Sequence, residues 1–281
     1  MRFALHLPNF GPFGEVSTLV GFARDAEAAG WDGVFLWDHV LFAEPDRNPH
    51  ADVWVTLTAM AAATERVLIG PLVTPLARRL PWEVARQTAS LQRFSGGRLV
   101  LGVGLGAPVE WDFRFFGWPT DDRERAERLE EGLAVLRGLW SGETFGFEGE
   151  HVRLEPMTFL PRPEPAVPVW VGGDISRPPV QRRAAAADGA VPFGRPAPAD
   201  LAAALDRMER TSGDGFDVVI GGTTEPSTAS FAEHVAPYAG LATWWLEDLS
   251  PLRLGMGWEQ FGDPWDVERL RARVLAGPPT P

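Results

Sequence analysis

Asp38 and His39 close an apolar run, Gly33–Trp37, and are the residues whose types most directly offer proton chemistry. An imidazole exchanges a proton near neutral pH, and a nearby carboxylate tunes its charge. Adjacent strand residues point to opposite faces, so the plainer alternative is that both groups satisfy loop hydrogen bonds. Glu110 is a further carboxylate that could orient the histidine. Glycines close three other apolar runs: Gly104-Leu105-Gly106 before Ala107, Gly172-Gly173 before Asp174, and Gly221-Gly222. A missing Cβ lets a ligand approach the backbone. A helix starting near Ser176-Arg177 would offer amides to a phosphate, with Arg177, Arg182, Arg183 and Arg195 adding charge. The same glycines also suit tight turns between strand and helix.

Composition removes whole classes of chemistry. There are no cysteines, so disulfides, thiolate nucleophiles and Cys-ligated metals are excluded. All 26 basic residues are arginine, which excludes a lysine Schiff base. The five histidines show no HxH or HExxH spacing, so no metal is expected. No GxSxG or Walker motif occurs. A formal net charge of −12 without a basic stripe argues against nucleic acid and anionic membranes. No apolar run approaches the roughly 18 residues of a membrane span. The start, MRFALHLPNFG, reads as a first strand rather than a signal peptide, which predicts a cytoplasmic protein.

The elements that must hold these groups follow a rhythm. Apolar runs occur at Phe3–Leu7, Gly33–Trp37, Val67–Val73, Arg98–Val103, Pro168–Val171, Gly189–Phe193, Phe216–Ile220 and Ala242–Leu246. Helical patterns follow at Ser17–Ala29, Asp52–Ala63, Pro81–Phe94, Asp122–Trp140, Arg177–Ala187, Ala199–Arg210, Thr228–Ala236 and Pro264–Val274. Eightfold alternation predicts a single α/β domain over 1–281, a (β/α)8 TIM barrel, with a six-strand open sheet as the competitor. Residues 141–167 break the rhythm and read as an insertion after the fourth helix; 276–281 read as a disordered tail. Barrel chemistry sits at the C-terminal strand ends. Loops 41–51, 107–120 and 145–165, rich in Phe, Trp and Pro, would then build the substrate pocket and suggest an apolar or aromatic small molecule. Trp37, Trp54, Trp111, Trp244 and Trp245 are candidates for its wall.

Several stretches carry a resemblance: FALHLPNFG, ARDAEAAGWDGVFLWDHV, ERVLIGPLVTPLARRLPWEVARQTASLQRFSGGRLVLGVGLG, EWDFRFFG, PVWVGG and AADGAVPFG. Over about residues 1–195 the chain resembles the luciferase-like monooxygenase superfamily, and more narrowly its deazaflavin (coenzyme F420)-dependent branch. The resemblance implies a cofactor ring at the barrel mouth and frequent homodimerisation. It implies a third-strand bulge with a non-prolyl cis peptide near Leu72-Val73-Thr74 behind the ring. It places the proton-handling histidine at His39 beside Asp38, the fourth-strand loop at Gly104, Leu105, Gly106 and Ala107, and the phosphate-contacting fifth-strand loop at Gly172, Gly173 and Asp174. The chain departs from it where Ala107-Pro108 stands in place of a common tryptophan or glutamate, where Pro178-Pro179 of the fifth-strand loop GGDISRPP stand at the usual helix start and put the cofactor contacts there in doubt, and in its short C-terminal third, which implies a more open pocket; the missing lysines argue against a sugar-phosphate substrate. The leading expectation is hydride transfer between a deazaflavin and a small organic substrate. The alternatives are an FMN-dependent monooxygenase served by a flavin reductase, and a non-catalytic flavin-binding barrel.

Overall fold

The computed structural model describes residues 1–42 and 48–280. Short apolar runs stopped by glycine, proline or aspartate become strands, and the patterned stretches between them become helices. The first half contains β1 (Arg2–Leu7), α1 (Val16–Ala28), β2 (Gly33–Leu36), α2 (Val53–Ala63), β3 (Leu68–Pro71), β4 (Thr74–Pro75), α3 (Pro81–Phe94), β5 (Leu101–Gly104), a single turn α4 (Val109–Asp112) and α5 (Asp122–Trp140). The second half contains a hairpin of β6 (Thr144–Glu148) and β7 (Arg153–Thr158), then β8 (Val169–Gly173), α6 (Pro178–Ala185), β9 (Gly189–Pro192), α7 (Pro198–Met208), β10 (Asp217–Gly222), α8 (Thr228–His234), β11 (Trp244–Asp248) and α9 (Val267–Leu275).

The strands are ordered β3-β2-β1-β11-β10-β9-β8-β5-β4, and every pairing in this sheet is parallel. β3 and β4 are two pieces of one strand, parted at Leu72-Val73, whose peptide is cis as the resemblance implied. Ile69 bridges to Leu99 just ahead of β5, which closes the ring. The architecture is therefore the expected eight-stranded barrel and not an open sheet.

The lumen is filled by large rings. Phe35, Trp170 and Trp244 meet at centroid distances of 5.4, 5.7 and 6.0 Å. Each such ring removes about 150–250 Å² from water, roughly 4–6 kcal/mol of gross stabilisation at 25 cal/mol per Å². Side chains alternate along β11, so Trp244 and Leu246 face the lumen cluster while Trp245 packs with the outer core. Trp244 and Trp245 thus serve packing and do not wall a substrate pocket.

Two expectations meet different surroundings. The 141–167 stretch, read as an insertion, forms the β6–β7 hairpin, which lies along α5: Glu131 accepts from the amides of Glu150, His151 and Val152. It contributes nothing to the mouth cavity described below. Residues 276–280, read as a loose tail, are partly packed: Gly277 and Pro279 are buried, and Arg273 Nη1 donates to the Gly277 carbonyl at 2.7 Å. Pro281 lies outside the described residues.

Candidate active site at the barrel mouth

The C-terminal strand ends surround a cavity of about 640 Å³. A cavity of about 660 Å³ lies at the opposite end, but its Arg2 and Asp217 are spent on each other at 2.8 Å. The mouth cavity is where titratable groups converge.

His39 lines it, and the carboxylate that orients His39 is Asp112. Nδ1 lies 2.7 Å from Asp112 Oδ2. Asp112 is fully buried and also accepts from the Val40 and Leu41 amides at 2.8 and 3.1 Å. A carboxylate so supplied with donors takes the Nδ1 proton as a bond and leaves Nε2 as the acceptor toward the cavity. Glu110, expected in this role, sits two residues before Asp112 on α4, paired with Arg114 and facing solvent. The four-residue α4 turns Asp112 inward and Glu110 outward.

Asp38 lines the cavity but is committed elsewhere. Its carboxylate accepts from Thr74 Oγ1 at 2.9 Å and from Arg79 at 2.5 and 3.0 Å, and Arg78 stands 3.3 Å away. Burial works to raise this carboxyl; the Arg79 and Arg78 guanidiniums outweigh it and hold Asp38 below the usual carboxylate range. Arg78 also reaches within 3.8 Å of Asp112, so one buried arginine spans both carboxylates. Asp38 is thus an ion-pair anchor for the segment after β4 rather than a proton carrier. Thr74 belongs to that anchor.

His6, unnoticed as a site residue in the sequence, also lines the cavity. Trp37 Nε1 donates to its Nδ1 at 3.3 Å, so its Nε2 carries the proton and donates to the Leu72 carbonyl at 2.9 Å. Burial lowers its pKa. Its only sequence signal was its place near the end of the first strand.

The glycines divide into two roles. A Cβ at Gly104 would come within 2.8 Å of Val73, and one at Gly172 within 2.6 Å of it. These two glycines make room for Val73 rather than for a ligand. A Cβ at Gly106 would strike Pro75 and Phe113. Leu72, Val73, Gly106 and Ala107 do line the cavity, whereas Gly104, Leu105, Gly172, Gly173 and Asp174 do not. Several amides of the fifth-strand loop are already engaged. Asp174 takes the Ser176 and Arg177 amides, positions 178 and 179 are prolines, and the Val180 and Gln181 amides turn back to Arg177. Arg177 pairs with Asp174, and Arg182 and Arg183 pair with Glu130.

Arg195 is different. It lines the cavity at positive φ (44°), its guanidinium lies over Gly222, and no carboxylate pairs with it among the described residues. Phe193, Gly194, Gly222 and Thr223 line the cavity around it. Across the mouth stand Trp37, Leu252 and Trp258. The last two come from the segment after β11, which carried no signal in the sequence. Trp54 and Trp111 do not reach the cavity.

Residues 1–246 match the luciferase-like monooxygenase family. The chain belongs to that family. This luciferase-like chain is 37% identical over 167 residues to an F420-dependent glucose-6-phosphate dehydrogenase of Microbacterium testaceum, covering 58% of this chain and 48% of the relative. It is 36% identical over 174 residues to the protein of the same name from Amycolatopsis mediterranei, covering 59% and 50%. The chain spans about half the length of these curated relatives. Among solved structures its fold is similar to a coenzyme F420-dependent tetrahydromethanopterin reductase from Methanopyrus kandleri (TM-score 0.66, 21% identity, 81% of this chain and 68% of that one). It is also similar to a monooxygenase from Streptomyces bottropensis (TM-score 0.69, 19% identity, 98% of both chains). Among the described residues of this luciferase-like barrel, no helix is long and apolar enough to cross a membrane, and no cluster of acidic residues and histidines could hold a metal.

Proposed function

We propose that this chain is a coenzyme F420-dependent oxidoreductase in which His39, oriented by Asp112, handles the proton that accompanies hydride transfer to or from a small organic substrate. The observation that carries it is the His39–Asp112 pair, 2.7 Å apart, facing a cavity whose inner wall includes Leu72, Val73, Val191 and Leu246. That apolar wall fits a flat tricyclic ring, and Arg195 with Gly194, Gly222 and Thr223 fits an anionic tail. When bound, a deazaflavin supplies the hydride acceptor or donor.

The protein's own part is to hold and move a proton. Asp112 fixes the tautomer, and His39 Nε2 takes the proton of a substrate hydroxyl or returns one to a carbonyl oxygen. His6 holds the Leu72 carbonyl, keeping the chain before Val73 in place. The curated F420-dependent relatives support this cofactor over FMN. Titrating purified protein with each cofactor tests it: F420 is expected to bind, and binding of FMN alone would transfer the assignment to an oxygen-dependent monooxygenase. His39→Ala and Asp112→Asn should each lower kcat by about 10²–10⁴, leaving F420 affinity intact. Unchanged turnover in both variants would remove His39 from the mechanism.

A further inference from the structure

The mouth cavity bears on the class of substrate, given the role proposed for His39 above. Trp258 is 57% exposed although it stacks on Phe261 at 4.8 Å, and it leans toward Trp37 at 6.5 Å. Phe261 continues the stack through Phe42 to Phe10, at 5.6 and 4.6 Å. One indole face is therefore backed by a ladder of rings, and Trp258 lines the mouth beside Leu252 and Trp37, the latter 5.7 Å from His39. An exposed, rigidly backed aromatic at a cavity mouth is a platform for another flat apolar surface.

The charges on this side agree. Arg78 and Arg79 are held by Asp38, and Arg253 by the buried Glu247 at 2.5 Å. Asp248, whose carboxylate accepts from Ser250, adds another negative group to the cavity wall. An anion beside His39 would meet the Asp112 and Asp248 carboxylates, while Arg78, Arg79 and Arg253, the arginines on this side, are already paired. The unpaired Arg195 belongs to the sixth-strand loop across the mouth.

We propose that the Trp37–Leu252–Trp258 wall selects an uncharged substrate with a flat apolar ring, presenting a hydroxyl or carbonyl oxygen to His39, and rejects sugar phosphates. The test uses acetophenone and glucose 6-phosphate as probes, titrated calorimetrically into the protein with and without F420, alongside Trp258→Ala. Acetophenone should bind the unsubstituted protein, glucose 6-phosphate should not, and Trp258→Ala should weaken acetophenone at least about tenfold while leaving F420 affinity unchanged. Preferential binding of glucose 6-phosphate, absence of acetophenone binding, or an acetophenone affinity indifferent to Trp258→Ala would each overturn the proposal. F420 binding without acetophenone binding sinks the substrate inference alone. Trp258-dependent acetophenone binding without F420 binding sinks the cofactor reading alone.

Discussion

At the scale of single residues, the site depends on which histidines carry charge. His6 is half-buried, and both ring nitrogens are engaged: Nδ1 accepts from Trp37 and Nε2 donates to Leu72. Protonation would set a second donor against the Trp37 N–H. Burial lowers the His6 pKa from its ordinary 6.5, with Asp248 opposing and His39 reinforcing. The folded state then binds fewer protons than the unfolded chain below about pH 6.5, so stability falls as pH drops through that value toward the folded pKa. The slope is at most about 1.4 kcal/mol per pH unit for one proton. Asp38, whose pKa is also lowered, destabilises in the same direction, but only below its ordinary 3.8. Urea unfolding at pH 7.5 and 5.5 should therefore show a loss that His6→Gln reduces; an identical loss in the variant would show that other groups carry it. The aspartate next to His39 in sequence turned out to serve Arg78 and Arg79. Asp112, distant by 73 positions, became its partner because separation along the chain says little about who meets at a barrel rim.

At the scale of elements, the third strand sets the shape of the site. Its interruption pushes Val73 between the fourth and fifth strand ends, and only glycine there leaves the space. Gly172→Ala places a methyl about 2.6 Å from Val73 Cγ1 and should cost about 1–3 kcal/mol, the usual penalty for overpacking. Combining it with Val73→Ala should recover part of that loss, since the two changes share one contact. Denaturant titration of the two singles and the double gives the coupling; strict additivity would refute the packing assignment. The glycine-rich strand ends were visible in the sequence, but their purpose was not. Composition cannot say whether an absent Cβ leaves room for a ligand or for a neighbouring strand. The prolines of the fifth-strand loop were a better guide: at the first two positions of α6 they remove amide donors that a phosphate would use.

At the scale of the whole molecule, closure depends on a buried charge cluster near the end of the last strand. Glu247 is fully buried and receives Thr224, Trp245 and Arg253, with Arg273 of α9 at 3.3 Å. Arg273 also binds the Thr224 and Gly277 carbonyls, so one carboxylate ties β11, the loop after β10 and the C-terminal helix together. Glu247→Ala would strand two guanidiniums away from water and should destabilise the chain by about 3–5 kcal/mol. Thermal unfolding that shifts by no more than a surface substitution would show that the cluster is solvated.

What the sequence determined by itself was the barrel, because hydrophobic period and turn residues are local signals and eight alternations leave few ways to bury the strands. It also located His39 at a strand end and excluded thiol and lysine chemistry outright. Only the tertiary structure chose Asp112 over Asp38 and Glu110, gave Gly104 and Gly172 to Val73, and brought His6, Trp258 and Leu252 to the mouth. Those assignments depend on which side chains converge in three dimensions. Convergence across a closed barrel is set by strand register and loop path, which no local pattern encodes.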